Sequence, residues 1–246
     1  MSTQIKGTGL ETNLQGYWSL NEVSGTRNDS TANANNLTDV NTVGSAAGKQ
    51  ALAGDFEADN DEYLTITDAA QTGLDISGNM SISAWLNAES LPNSNNRYYI
   101  LGKDTLGAKS YYVSYDRDAG NNYDIFFGWS VNGTSGRSRA YRVTLTASQW
   151  YHLVITFNIS EGRVRFYLDG ALVQNTTTTA GGTVFNSTTA FSLGSSGDNN
   201  QTWDGLLDEV GIWNTILTDA QVTSLYNSGA GIPFQLSNTG NFFQMF

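Results

Sequence analysis

Residues 149–173, QWYHLVITFNISEGRVRFYLDGALV, carry the pattern that decides the fold class. In the first half, Leu153, Ile155 and Phe157 alternate with His152, Val154 and Thr156. In the second, Val164, Phe166 and Leu168 alternate with Arg163, Arg165 and Tyr167. A period of two places each apolar set on one face of a strand, so the first set of each half is expected in the core. Asp169-Gly170 then supplies the residues a tight hairpin turn needs where φ is positive. The single histidine, His152, has no acid or nucleophile in its own segment and is read as a solvated or satisfied surface residue.

The same rhythm runs outward in both directions. EYLTI, MSISAWLN, RYYILGK, SYYVSY, YDIFFGW, RAYRVTL and AFSLG are short, rich in β-branched and aromatic residues, and bounded by Gly, Asn, Asp or Ser. That is the punctuation of an antiparallel sandwich. GYWSLNE adds a strand near the N-terminus, with Trp18 and Leu20 opposed to Tyr17 and Ser19. One segment breaks the pattern. TDAQVTSLYNSG opens with a capping box, Thr218 to Gln221, carries Val222, Leu225 and Tyr226 at helical spacing, and closes on Gly229 as the expected C-cap. The chain is divided into an N-terminal arm (1–15), a single sandwich domain (16–230) and a docking tail (231–246) that ends in Phe242, Phe243, Met245 and Phe246.

Composition narrows the function classes. With 12 Lys+Arg against 23 Asp+Glu the net charge is −11, which repels phosphate backbones and anionic lipid, so neither nucleic acid nor membrane is an expected partner. Cysteine is absent, which excludes a disulfide framework, thiolate metal sites and a cysteine nucleophile. No apolar run approaches the ~20 residues of a bilayer span. The first residues, MSTQIKGTGLETNLQ, lack the basic and apolar regions of a secretory signal.

Taken in order, GYWSLNEVSGTRNDSTANANNLT, GDFEADNDEYLTI, MSISAWLN, QWYHLVITFN with GRVRFYLDGALV, and WDGLLDEVGIWNTILTDAQVTSLYNSG resemble the laminin-G-like branch of concanavalin-A-like jelly rolls, the group that includes pentraxin-type domains. The resemblance spans roughly residues 16–230. It implies an all-β, two-sheet antiparallel jelly roll, with the first and last strands meeting in one sheet and a short C-terminal helix. It also implies glycan or protein binding, seldom catalysis, and often a calcium ion at the rim.

Asp208 and Glu209 in WDGLLDEVGIWN test the catalytic alternative. Neighbours on a strand point to opposite faces, so the two cannot flank one glycosidic bond. Nor does LLDEVGIW hold the third carboxylate of a Glu-x-Asp-x-x-Glu arrangement. The chain is therefore read as non-enzymatic. On the strand phase that buries Val210 and Ile212, Asp208 faces the interior and Glu209 the solvent. A buried carboxylate needs an ion or donors. The resemblance implies a structural Ca²⁺ with Glu22, Asp29, Asn36 and Asp208 as candidate ligands; hydrogen bonds from backbone amides and Arg27 are the competing reading. For a glycan, which needs an aromatic platform beside polar groups, Tyr115, Tyr123 and Trp129 are the candidates, against the alternative that such rings fill the sheets. Arg137, Arg139 and Arg142 are read as a solvated face paired with local Asp.

These readings converge on a lectin-like or adhesive module binding glycans or neighbouring surface proteins. Its expected setting is a phage virion, as a decoration or tail-associated protein, or another extracellular surface reached without a classical secretion signal. It would act as a homo-oligomer or part of a larger assembly. The alternatives are a carbohydrate-binding module of a larger secreted enzyme or adhesin, and a glycan-cleaving enzyme.

Overall fold

The computed structural model describes residues 4–5, 7–196 and 201–234. The aromatic residues of the tail, Phe242 to Phe246, lie outside the described residues. The strands in chain order are β1 (Leu14–Trp18), β2 (Thr38–Val40), β3 (Gly44–Ala47), β4 (Leu52–Phe56), β5 (Tyr63–Ile66), β6 (Met80–Ala88), β7 (Asn96–Thr105) and β8 (Ala108–Arg117). They continue with β9 (Tyr123–Ser130), β10 (Gly136–Arg142), β11 (Tyr151–Asn158), β12 (Arg163–Leu168), β13 (Ala171–Thr177), β14 (Phe191–Leu193) and β15 (Gly205–Trp213). One helix, α1 (Asp219–Tyr226), follows.

These strands form two antiparallel sheets. The first, of eight strands, runs β13-β12-β11-β6-β15-β4-β3, with β1 also paired to β15; the second, of seven, runs β10-β9-β8-β7-β14-β5-β2. First and last strands therefore meet in one sheet, as the sequence resemblance implies. The hairpin of residues 149–173 forms with β11 and β12 in the expected register, Leu153 opposite Leu168 and Phe157 opposite Val164. The Asp169-Gly170 turn, which joins β12 to β13, has φ of 51° at Asp169 and 76° at Gly170, the mirror-image turn that suits the strand twist.

Between the sheets lies a core that includes Trp18, Leu153, Ile155, Phe157, Phe166 and Ile212. Trp18 stacks on Phe191 at 5.2 Å and Phe157 packs on Trp129 at 4.7 Å. A second apolar layer covers the other face of the eight-stranded sheet. Tyr17, Val154, Tyr167 and Trp213 pack there against Val222 and Leu225 of α1, against Ile5 and Leu10 from the N-terminal segment, and against Ile232. The two ends are tied together: Ile5 N–H donates to the Pro233 carbonyl at 2.9 Å, and Trp213 Nε1 donates to Leu10 O at 2.6 Å. The central strands of the eight-stranded sheet, β6 and β15, are thus buried on both faces.

The helix begins as read, with both halves of the Thr218–Gln221 capping box formed. It ends earlier than expected, because Asn227 at φ 48° serves as the C-cap in place of Gly229. Asparagine tolerates the left-handed conformation, so glycine is not required there.

A bulge in β15 changes the reading of LLDEVGIW. Asp208 pairs with Trp85 and Gly211 with Ser83, so Glu209 and Val210 stand opposite Ala84 alone. Glu209 takes φ 49° to absorb the extra residue. Leu207, Val210 and Ile212 all face the core between the sheets. Asp208 is therefore on the face opposite Val210, shared with Trp85 and His152, and not on the inner side where unbroken alternation puts it.

Candidate functional site

The terminal layer covers the centre of the eight-stranded sheet and leaves a hollow of about 230 Å³ beside Arg163 and Arg165; the outer face of the seven-stranded sheet is open to a ligand and brings aromatic and polar side chains together. Registers decide which side chains it shows. Tyr98, Tyr115, Ile125 and Tyr141 form one cross-strand row, and the next row holds Arg97, Asp116, Asp124 and Arg142. The first row points into the sandwich and the second points out. Tyr99, Ser114 and Phe126 make the next outward row, and Tyr112 and Gly128 the one after.

These rows border a surface hollow of about 230 Å³ whose lining includes Asn96, Arg97, Asp116, Asp124, Phe126 and Gln201. Arg97 organises one wall. Its Nη2 pairs with Asp116 Oδ2 at 2.7 Å, its Nη1 donates to the Tyr99 hydroxyl at 3.0 Å, and its guanidinium lies 5.3 Å from the Tyr99 ring and 5.6 Å from the Tyr112 ring. Tyr99 and Tyr112 meet edge to face at 5.4 Å. Gly128 makes room for Tyr112: a Cβ there would stand 2.1 Å from the ring, so only glycine lets the ring lie against the strand. Phe126 is half-buried and presents part of its ring to the hollow. On the rim, Gln201 Nε2 donates to Asn96 Oδ1 at 3.1 Å, and the Gln201 carbonyl accepts from Tyr99 N–H.

The electrostatics suit recognition of hydroxyl groups. Burial works against the Arg97 charge, but Asp116 and the phenols of Tyr99 and Tyr112 outweigh it and hold the guanidinium charged. Burial raises the Asp116 carboxyl above its ordinary value, opposed by Arg97 and by the Ser114 hydroxyl, which serve its two oxygens. Burial pushes the Tyr112 phenol up to about 12, against the pull of Arg97, so it stays a neutral donor. Opposite, Arg142 bonds both oxygens of Asp124 at 3.2 and 3.1 Å and reaches Asp118 at 3.5 Å. Asp116, Asp118 and Asp124 are all ion-paired, a poor setting for a general acid and its partner.

The sequence candidates fall differently. Tyr115 and Trp129 are 0% and 2% exposed in the core, where they offer no ring face to a ligand. Tyr123 is half-buried and stacks on Tyr115 at 5.5 Å. The rings that do face out, Tyr112 and Phe126, sit three positions from those candidates and on the opposite strand phase of SYYVSY and YDIFFGW. The signal that marks them is present in the sequence, since Tyr111, Val113 and Tyr115 form the apolar phase of β8, while Tyr112, Ser114 and Asp116 form the mixed one.

The candidate calcium ligands do not converge. Asp29 Oδ1 accepts from the Tyr17 and Thr31 amides, and its Oδ2 from the Thr31 hydroxyl and the Asn35 amide. Asn36 Oδ1 accepts from Asp29 N–H, and Glu22 Oε1 from the Asn28 backbone and side chain. Asp208 lies under the 48–51 turn, where Gln50 N–H donates to it at 2.9 Å. Hydrogen bonds satisfy the Asp29 loop where an ion was expected. Arg27 does not serve Asp208 or Glu209; it donates to the carbonyls of Gly25, Val43 and Gly44. Glu209, expected at the solvent side, is 3% exposed and accepts from the Tyr17 hydroxyl. His152, also expected at the surface, is 1% exposed beneath Trp85 and Tyr226, with Ser83 Oγ 3.0 Å from its Nε2. Among the described residues, the carboxylates whose ligand atoms gather within 4.8 Å of one another are Asp55, Glu57 and Glu89.

Comparison with known proteins follows the fold. A laminin-G-type sequence model described as "Concanavalin A-like lectin/glucanases superfamily" matches residues 58–223. Among curated proteins, the chain is similar to the adhesion G-protein coupled receptor V1 of Danio rerio, 25% identical over 158 residues, which are 63% of this chain and 2% of the receptor. Among solved structures, it is similar to domain 4 of AbnA, a GH43 extracellular arabinanase from Geobacillus stearothermophilus, in complex with arabinotriose, at 23% identity and TM-score 0.62, covering 86% of this chain and 97% of that one. The binding domain of Paraclostridial Mosquitocidal Protein 1 gives 16% identity and TM-score 0.68, covering 89% of this chain and 53% of that one. The binding domain of botulinum neurotoxin DC, in complex with SialylT, gives 14%, TM-score 0.68, and coverage of 89% and 52%.

Proposed function

We propose a function from the premise that this chain belongs to the concanavalin A-like lectin/glucanases superfamily: it is a non-enzymatic binding module that takes a glycan on the outer face of its seven-stranded sheet. The observation that carries this reading is the hollow in which Phe126 and the Arg97–Asp116 pair stand beside Asn96 and Gln201, with Tyr112 packed behind Arg97. The apolar C–H face of a sugar stacks on the Phe126 ring, and its hydroxyls exchange hydrogen bonds with the carboxylate and amides. A chain of net charge −11 favours neutral over anionic sugars.

The relatives support a binding role. The arabinanase domain was solved with an arabinotriose, and two of the similar structures are toxin binding domains. Display on a virion, as a decoration or tail-associated protein, is the finer part of the proposal; a cysteine-free, acidic surface-type fold supports it. The rival setting, one module of a longer secreted enzyme or adhesin, is favoured by a single observation: the match occupies 2% of the receptor's length.

The test is a screen of neutral oligosaccharides, followed by calorimetric titration of the best binder. Loss of one stacking ring is worth about 0.5–1.5 kcal/mol, so Phe126→Ala is expected to weaken Kd by about 2- to 10-fold with an unchanged melting temperature. Equal binding by wild type and Phe126→Ala would remove the hollow from consideration.

A further inference from the structure

Beyond the edge of the terminal layer, the outer face of the eight-stranded sheet continues in two polar rows. Val154 and Tyr167, the last pair under that layer, are followed by Thr156 opposite Arg165 and then by Asn158 opposite Arg163. Ser81 of β6 extends the first row on one side, and Asn175 and Thr177 of β13 extend the two rows on the other. The chain leaving β15 walls this surface. Ser81 Oγ donates to the Thr215 carbonyl at 2.7 Å and accepts from Leu217 N–H at 2.9 Å, which fixes Ile216 between them. Thr156, Asn158, Glu161, Arg163, Arg165 and Ile216 line the resulting hollow of about 230 Å³.

The lining offers donors that the chain itself leaves underused. Thr156 is 2% exposed, and its hydroxyl bonds to no other described residue. Asn158 Oδ1 is taken by Ser160 Oγ and Glu161 N–H, at 2.7 and 3.1 Å, so its amide nitrogen is what remains to donate. Arg163 Nη1 donates to Asn175 Oδ1 at 3.3 Å, and its Nε stands 3.4 Å from Glu161 Oε2. Arg165 Nη1 stands 3.9 Å from Asp219 Oδ1, an oxygen that already accepts from the Tyr167 hydroxyl at 2.7 Å. The Glu161 and Asp219 side chains are 60% and 72% exposed, so water and salt weaken both contacts. Each guanidinium carries more donors than these contacts use, and the Nε of both is buried without a hydrogen-bond partner. Two half-buried arginines on adjacent rows, beside a buried hydroxyl, suit an acceptor with two oxygens, and a carboxylate matches the arginine fork. The lining holds no aromatic ring, the platform a sugar face needs. Leu172, 45% exposed and opposite Tyr167 one outer row away, instead gives an apolar contact of the kind a peptide side chain makes.

We propose that this hollow docks an acidic segment of a partner protein, with a glutamate or aspartate carboxylate bridging Arg163 and Arg165 beside the Thr156 hydroxyl. A net charge of −11 repels such a segment over most of the surface, so a local pair of guanidinium groups decides where it lands. The hollow lies on the opposite sheet from Phe126 and does not depend on the glycan reading.

The experiment titrates hexaglutamate peptide into the isotopically labelled full chain at low salt, with calorimetry alongside, and repeats the titration with oligogalacturonate as a sugar-borne carboxylate. Hexaglutamate is expected to bind one per chain, to shift the amides of Thr156, Asn158, Arg163 and Arg165, and to weaken as NaCl is raised. Arg163→Gln/Arg165→Gln is expected to weaken Kd at least about 10-fold with an unchanged melting temperature, since both side chains are partly exposed. Glu161→Gln, which removes a competing carboxylate, is expected to tighten Kd about 2- to 5-fold. The proposal is overturned by absence of binding, by shifts remote from the hollow, by equal affinity in the double variant, or by oligogalacturonate binding there more tightly than the peptide, which would make it a sugar site.

Discussion

Asp208→Asn isolates the strongest electrostatic tension in the fold. The Asp208 side chain is fully buried, and burial raises its carboxyl from 3.8 to about 7, against the hydrogen bonds of the Gln50, Lys49 and Glu209 amides. Its Oδ1 has no partner, and Glu209, which lies beside it, is itself raised by burial and by the Asp208 charge. Between those two pKa values the folded chain holds a proton that the unfolded chain has released. Stability from this group is thus complete below the unfolded value and is lost as pH rises through about 7. Roughly three pH units at about 1.4 kcal/mol each give about 4 kcal/mol between pH 4 and 8. Asparagine keeps an acceptor for Gln50 and carries no charge. Asp208→Asn is therefore expected to match wild type near pH 4 and to exceed it at pH 8 by about 4 kcal/mol, a rise in melting temperature of order 10 °C for a chain of this size. Melting curves of both proteins at half-unit pH steps make the measurement, and taking their difference cancels the other titrating groups. A variant less stable than wild type by the same amount at every pH would refute the reasoning, since it would mean that the native carboxylate is fully compensated.

Other outcomes follow from the same layer. His152 is the only histidine, so its ring resonances are unambiguous. Burial, with the nearby Lys49 charge, lowers its pKa to about 3, and NMR shifts flat from pH 5 to 8 are expected; a titration near 6.5 would contradict its placement. Thr218→Ala removes the N-cap of α1 and is expected to cost about 1 kcal/mol, or roughly 2–4 °C, without changing glycan affinity. Tyr17→Phe deletes the donor to Glu209 and is expected to destabilise the chain more at pH 8 than at pH 5, because the carboxylate needs the hydroxyl most when charged.

The sandwich was legible because each strand repeats its own evidence. In residues 149–173, apolar periodicity pairs β11 with β12 and the Asp-Gly turn pairs β12 with β13, so local signals choose both pairings. The shared sheet of the first and last strands was implied by the resemblance of the ordered segments, and Trp18 and Val210 do pair. Asp208 was not legible, because a single extra residue at Glu209 reverses the facing of everything before it, and glutamate at positive φ leaves no mark in the sequence. His152 and Glu209 were misjudged for a different reason. A polar residue on the phase opposite the core is normally wet, but here α1 and both terminal segments cover that face. Such cover is decided by where distant segments dock. The ligand face lies between these cases: Tyr112 and Tyr115 differ only by strand phase, and choosing aromatic richness over phase selected the buried ring.

The most direct test of the proposed binding face is residue-resolved mapping of a bound oligosaccharide. Adding the best neutral binder from the screen to isotopically labelled protein is expected to shift the amides of Arg97, Tyr112, Asp116, Phe126 and Gly128 together, with those of Trp85, Val154 and Tyr167 unmoved. Shifts confined to the eight-stranded sheet or to loops remote from Phe126, at saturating sugar, would contradict it.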